Sequence, residues 1–157
     1  MAIATTLKDY LESQGIAYQV VTHPHALSMI ETARRAGLPA ICVAKAVVLE
    51  DRQGYLLAAV PAANRVAFRE LEDALTRRLE LATEAEIASL FRDCDIGAVP
   101  PVGAAYGMEV VVDDLLCDQR EVYFEGGDHE SLVHVSGEDF GRLMGPARHA
   151  RISWPKV

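Results

Sequence analysis

The paired runs CVAKAVVLE (42–50) and YLLAAVP (55–61), joined by the turn-rich DRQG, constrain the fold most, because both are apolar on successive residues rather than on alternate ones. A strand with one wet face alternates apolar and polar side chains, whereas a strand covered on both faces does not. The pair therefore predicts a hairpin at the centre of a sheet, with other elements packed on each side. A chain of 157 residues that is 50% apolar can supply that cover from one good core, so one domain spanning 1–157 is expected. Lys45 is the lone charge between Cys42 and Leu49. Lysine is almost never fully buried without a partner, so it either points outward or faces an enclosed polar cavity. In the second case it is a fixed cation suited to a phosphate or a carboxylate.

Other segments read from their periodicity. Ile3, Leu7, Tyr10 and Leu11, followed by Gly15, predict an amphipathic helix with a glycine stop. YQVV (18–21) predicts a short strand. Ser28 to Glu31 and Thr83 to Glu86 have capping-box spacing, opening helices that end at Gly37 and near Phe91. FRELEDAL (68–75) predicts a helix, and 108–114, 121–127 and 131–136 predict strands, with Gly126-Gly127 as a turn or bulge. A last helix starts at Ser136 and stops at Gly145-Pro146. Strands mixed with short helices and lacking regular βα alternation predict an α+β fold, a curved mixed sheet or partial barrel flanked by short helices.

GAVPPVG (97–103) holds two prolines between two glycines. The glycines open backbone angles closed to other residues, while Pro100 and Pro101 fix φ and remove two N–H donors. Such a loop holds one shape, either as a plain connector or to present its main chain to a ligand. It is not a P-loop, since Ala104 follows Gly103, and the chain has neither G-x-S-x-G nor G-x-G-x-x-G. His129, Glu130 and His134 are spaced wrongly for a zinc helix or for one face of a strand. His23-Pro-His25 lacks a clear third ligand and reads as a polar loop. His129 itself, just past the glycine pair, is either a surface residue or part of a site.

The net charge of −8 excludes bulk electrostatic coating of nucleic acid. After Asp139, however, Arg142, Arg148, Arg151 and Lys156 occur without any acid, so one end is locally basic: a solvated tail or a phosphate-contacting patch. Cys42, Cys94 and Cys117 are too scattered for a disulfide framework or zinc ribbon. No apolar run approaches membrane-spanning length and the N-terminus is not signal-like, so a cytoplasmic protein without membrane contact is expected.

Lys45, TEAEIASLFRDCDIGAVPPVG (83–103) and EVYFEGGDH (121–129), in this order, resemble the YbaK-like aminoacyl-tRNA deacylases, relatives of the editing insertion domain of bacterial prolyl-tRNA synthetases. The likeness runs from about Leu7 to Met144. It implies metal-independent, cofactor-free hydrolysis, in trans, of the ester joining a wrong amino acid to the tRNA 3′ end. Editing of this kind is needed where a synthesis pocket separates small apolar side chains by only about 1–3 kcal/mol per methylene. By resemblance Lys45 is the characteristic lysine, Gly97 to Pro101 match a G-x-x-x-P loop, and His129 lines the amino-acid pocket beside Gly127. The implied catalytic groups are Lys45 and the main chain of Gly97 and Ala98; Val99, Pro100, Pro101, Gly127 and His129 would bind substrate. Lys45 is then a phosphate clamp, and it is expected to share one cavity with the loop. The implied partners are the acceptor end of an aminoacyl-tRNA and, in some relatives, a synthetase; Arg34, Arg35 and the basic end are the candidate tRNA contacts. Alanyl-tRNA(Pro) is the first substrate to consider, with serine, threonine and cysteine also small enough. Ala46 departs from relatives that carry a polar residue after the lysine. The alternatives are a non-catalytic aminoacyl-tRNA or synthetase-binding module, and a hydrolase of small aminoacyl esters.

Overall fold

The central hairpin forms as its composition requires. In the computed structural model, which describes residues 3–156, β2 (Val43–Asp51) and β3 (Gly54–Pro61) pair antiparallel from Ala44↔Pro61 to Asp51↔Gly54. β1 (Gln19–Thr22), β7 (Glu121–Glu125) and β8 (Ser131–Ser136) extend the sheet on one side, and β6 (Glu109–Asp113) and β9 (Arg148–Ala150) on the other. The order is β1-β8-β7-β2-β3-β6-β9, with a two-residue β5 (Glu80–Leu81) added to β2. The β2–β7, β3–β6 and β6–β9 pairs are parallel and the others antiparallel. The path ends at β1 and β9, so this is a curved mixed sheet and not a closed barrel.

Both faces of the hairpin are covered, by different partners. Ala44 and Val48 of β2 join a large core with Leu7 and Leu11 of α1 (Thr5–Ser13), Phe91, Phe124, and Phe140 and Leu143 of α6 (Gly137–Met144). Leu49, Leu56, Ala58 and Val60 turn to a second cluster with Leu71 of α3 (Phe68–Leu75), Val111 and Ile152. Each fully buried leucine contributes about 1.5–3 kcal/mol, which explains why neither face tolerates alternation.

Local end signals act in part as read. Thr83 and Glu86 form the full reciprocal cap of α4 (Glu84–Leu90). Ser28 accepts from the Glu31 N–H at the start of α2 (Met29–Ala36), but the Glu31 carboxylate turns to Arg35 instead of closing the box. Gly37, at φ +71°, ends that helix. A four-residue α5 (Asp114–Cys117) follows β6.

The basic end is not a free tail. β9 joins the main sheet, and β10 (Ser153–Pro155) pairs antiparallel with β4 (Asn64–Val66) as a separate ribbon. Beneath the ribbon, the buried Asp113 carboxylate accepts from the Ile152 N–H at 3.0 Å and the Ser153 hydroxyl at 2.7 Å, and Ser153 accepts from Asn64. These bonds dock the chain end, while Arg148, Arg151 and Lys156 remain exposed.

Candidate active site

A gap in the sheet prepares the site. On its outer edge β2 pairs with β7 only at Val43–Ala44 and with β5 only at Leu49–Glu50, and Val48 O accepts from the Ala82 N–H. Among the described residues, Lys45 to Val47 have no strand partner there. A cavity of about 80 Å³ opens at this gap, lined by Met29, Ala46, Val48, Ile87, Gly97 and Val99. It is apolar and has room for a handful of water-sized groups. Hollows of about 550 and 390 Å³ elsewhere are wider, but neither is walled by any residue that the sequence marks as a site residue.

The 97–101 loop is held from behind. Gly97 has φ +82°, and a Cβ there would lie 3.3 Å from His129 Cε1, so glycine allows both the turn and the close approach of the imidazole. His129 Nε2 lies 2.6 Å from Ile96 O; a carbonyl only accepts, so Nε2 carries the proton and donates. The ring thereby braces the loop and is only 7% exposed. Its backbone is in the left-handed region, φ +65°, a conformation costly for a residue with a Cβ.

Glu125 holds that conformation in place. Its Oε1 accepts the main-chain N–H groups of Gly126, Gly127 and His129 at 3.1–3.2 Å. Its Oε2 is buried without a partner among the described residues, and burial pushes the carboxyl above its ordinary range. In EVYFEGG this residue reads as one more strand position. Nothing local reveals that it folds back onto the turn after it.

The loop's own donors are fewer than its composition offers. The Ala98 N–H is taken by Asp95 O at 3.0 Å, so Ala98 is not a free donor and acts as a buried anchor. The N–H groups of Gly97 and Val99 have no partner among the described residues. Pro100 and Pro101 are buried and stiffen the loop away from the cavity wall. Gly127 ties the two parts together, its carbonyl accepting from the Asp95 N–H at 2.8 Å. Cys94, next to Gly127, is no nucleophile, since burial first of all raises its thiol to about 12.

Lys45 sits elsewhere than expected. Strand alternation turns Ala44, Ala46 and Val48 to the cavity side, and Lys45 with Val47 and Leu49 to the other face. Lys45 is therefore not a wall of the cavity. It is half-buried, makes no ion pair among the described residues, and lies close enough to another cation, Lys156, to feel its charge. Burial, followed by repulsion from Lys156, lowers its ammonium to about 8. Of the suggested tRNA contacts, Arg35 is bonded to Glu31, and Arg142 to Asp139 and Gln14 O; Arg34 is exposed and makes no ion pair among the described residues.

An open mixed sheet with an apolar cavity against a rigid loop defines a small-ligand site in an α+β scaffold. The family model for the aminoacyl-tRNA editing domain matches residues 23–143, and the chain belongs to that family. Among solved structures, a candidate trans-editing enzyme for prolyl tRNA synthetase superposes with TM-score 0.84 at 26% identity, covering 95% of each chain. A scaffold protein used for computational epitope grafting gives 0.85 at 25% identity over 96% of this chain and 97% of that one. The hypothetical protein APE2540 gives 0.83 at 21%, over 95% and 99%, a likeness of fold alone. A search of curated protein sequences returns no match. Family and neighbour support an aminoacyl-tRNA deacylase role.

Proposed function

We propose that the protein hydrolyses the ester of a tRNA mischarged with a small amino acid, alanyl-tRNA(Pro) first, in trans. The observation that carries this reading is the small apolar cavity at the β2 gap, bounded by the loop that has two N–H groups unpaired among the described residues. A cavity of this size suits a short side chain better than a bulky one. Water adds to the ester carbonyl, and the Gly97 and Val99 N–H groups are the fixed donors for the resulting oxyanion. The carbon–oxygen bond to the ribose then breaks, and the departing ribose oxygen takes the proton released by the water, relayed through the neighbouring ribose hydroxyl. No triad is required.

The same gap gives Lys45 a role from the opposite face. A ligand lying across the unpaired edge of β2 can place its acyl group beside Ala46 and its phosphate beside Lys45. A charge-assisted contact of this kind contributes about 1.5–3 kcal/mol. A panel of mischarged tRNAs assayed with intact protein and with Lys45→Ala tests the reading. Turnover of small aminoacyl esters, reduced about a hundredfold in the variant with an unchanged thermal melt, is expected. Binding without turnover on every charged tRNA would favour a recognition module; turnover of small esters lacking tRNA would favour a general esterase.

The depressed Lys45 pKa also sets a pH dependence. Above about 8 the ammonium loses its proton and the clamp its charge, so kcat/KM, corrected for spontaneous hydrolysis, should fall. The sign for folding is opposite: the buried cation is unfavourable, and stability from this group rises as pH passes from about 8 toward the ordinary lysine value. Lys45→Arg keeps the charge and should move the kinetic limb upward. A wild-type profile that stays flat well above the Lys45 value would reject the clamp.

A further inference from the structure

The β4–β10 ribbon carries an exposed surface that the cavity does not use. Trp154 and Arg65 are register partners, so their side chains share the outward face, while Asn64 and Ser153 are buried beneath. Trp154, the sole tryptophan, is 43% exposed, and the Arg151 guanidinium lies 5.1 Å from its ring centroid. Lys156 follows two residues on; its main-chain N–H donates to Ala63 O, and its ammonium is near enough to Lys45 to act on it. Ala62 in turn donates to Val43 O, which seats the ribbon's end beside the start of β2 and Lys45. Arg65, Arg151, Trp154, Lys156 and Lys45 thus form a run from the ribbon to the gap, with no acid between Phe140 and the C-terminus in a chain of net charge −8.

We infer that this ribbon is the docking surface for the unpaired 3′ end of the tRNA, with Trp154 as a stacking platform for a base and Lys156 with Lys45 holding adjacent phosphates. The inference rests on the deacylase reading for the identity of its partner. An exposed aromatic ring between cations is the arrangement that binds single strands, since every base has a π-face and every nucleotide a phosphate. An acidic protein surface would match the charges but has no use for the ring.

Because Trp154 is the sole tryptophan, its emission reports contact directly. Titration with a single-stranded oligoribonucleotide ending in CCA should quench it saturably, with a blunt RNA duplex giving much less. Trp154→Ala should raise KM for aminoacyl-tRNA about tenfold with little change in kcat, and Trp154→Phe should restore most of the loss. Lys156→Gln should make the salt dependence of oligonucleotide binding shallower by about 0.7 in log–log slope. An unchanged emission on adding the oligonucleotide overturns the proposal, as does equal quenching by polyglutamate, which would mark an acidic-protein site. Both readouts use folded wild-type protein, so a misfolded variant does not blunt them. Quenching without turnover on any mischarged tRNA would sink the deacylase reading and leave this surface standing; turnover with no quenching and an unaltered KM in Trp154→Ala and Lys156→Gln would do the reverse.

Discussion

Replacing Glu125 by alanine is expected to lower stability by about 3 kcal/mol, a fall of about 9 °C in Tm, and to remove most deacylation. The carboxylate oxygen is the shared acceptor for the N–H groups of Gly126, Gly127 and His129, at a side chain only 1% exposed. Without it those donors are orphaned, at about 1–3 kcal/mol each, offset in part by no longer burying an acid whose other oxygen has no partner among the described residues. Activity falls with stability because the same bonds hold His129 in its left-handed conformation, and His129 braces Ile96 and Gly97. Glu125→Gln separates the two contributions. Its amide oxygen can still accept, so it should lie within about 1 kcal/mol of wild type. The raised carboxyl pKa fixes the sign with pH: folding favours the neutral acid relative to the unfolded chain, so this group's contribution is full below the ordinary carboxylate range and is lost as pH rises through the folded value. The melt of wild type relative to Glu125→Gln should therefore decline from acidic to neutral pH. An alanine variant as stable as wild type, or a difference that does not move with pH, would refute the role given to Glu125.

What the sequence disclosed follows from the range of the interactions concerned. The β2–β3 hairpin was legible because its two-sided burial is written in consecutive residues, and the Thr83 cap because its two bonds close within four residues. β4, β5, β9 and β10 were not, since two- or three-residue strands carry no period and owe their existence to distant partners, as β10 does to Asp113 and Asn64. The rigid loop and the Gly126-Gly127 turn were visible from glycine and proline alone. Their mutual bracing was not, because it passes through Glu125 and His129, one apparently a strand residue and the other apparently on the surface. Lys45 stood out, but its environment depends on Lys156, at the far end of the chain, and on a gap left by strands too short to foresee.

The cavity wall offers a test with the opposite signature, activity lost while the fold is kept. Ala46→Leu should reduce deacylation of alanyl-tRNA about a thousandfold with Tm unchanged or raised. Ala46 lies on the cavity side of β2 with Val48, facing Gly97 and Val99, so an isobutyl group in place of its methyl grows into the space the substrate side chain would use. Filling a void in free protein costs little and often stabilises. Forcing the acyl group into an occupied cavity costs about 1–3 kcal/mol and also moves the carbonyl away from the loop donors, whose loss adds about 3 kcal/mol more. The combined effect should appear in kcat/KM with a large part in kcat, because the ester is displaced from the oxyanion donors as well as bound less well. Val47→Leu, one residue along on the opposite face of the strand, is the matched control and should leave turnover within a few-fold of wild type. If Ala46→Leu retains near-normal kcat/KM, the ester is cleaved somewhere other than the gap between β2 and the 97–101 loop.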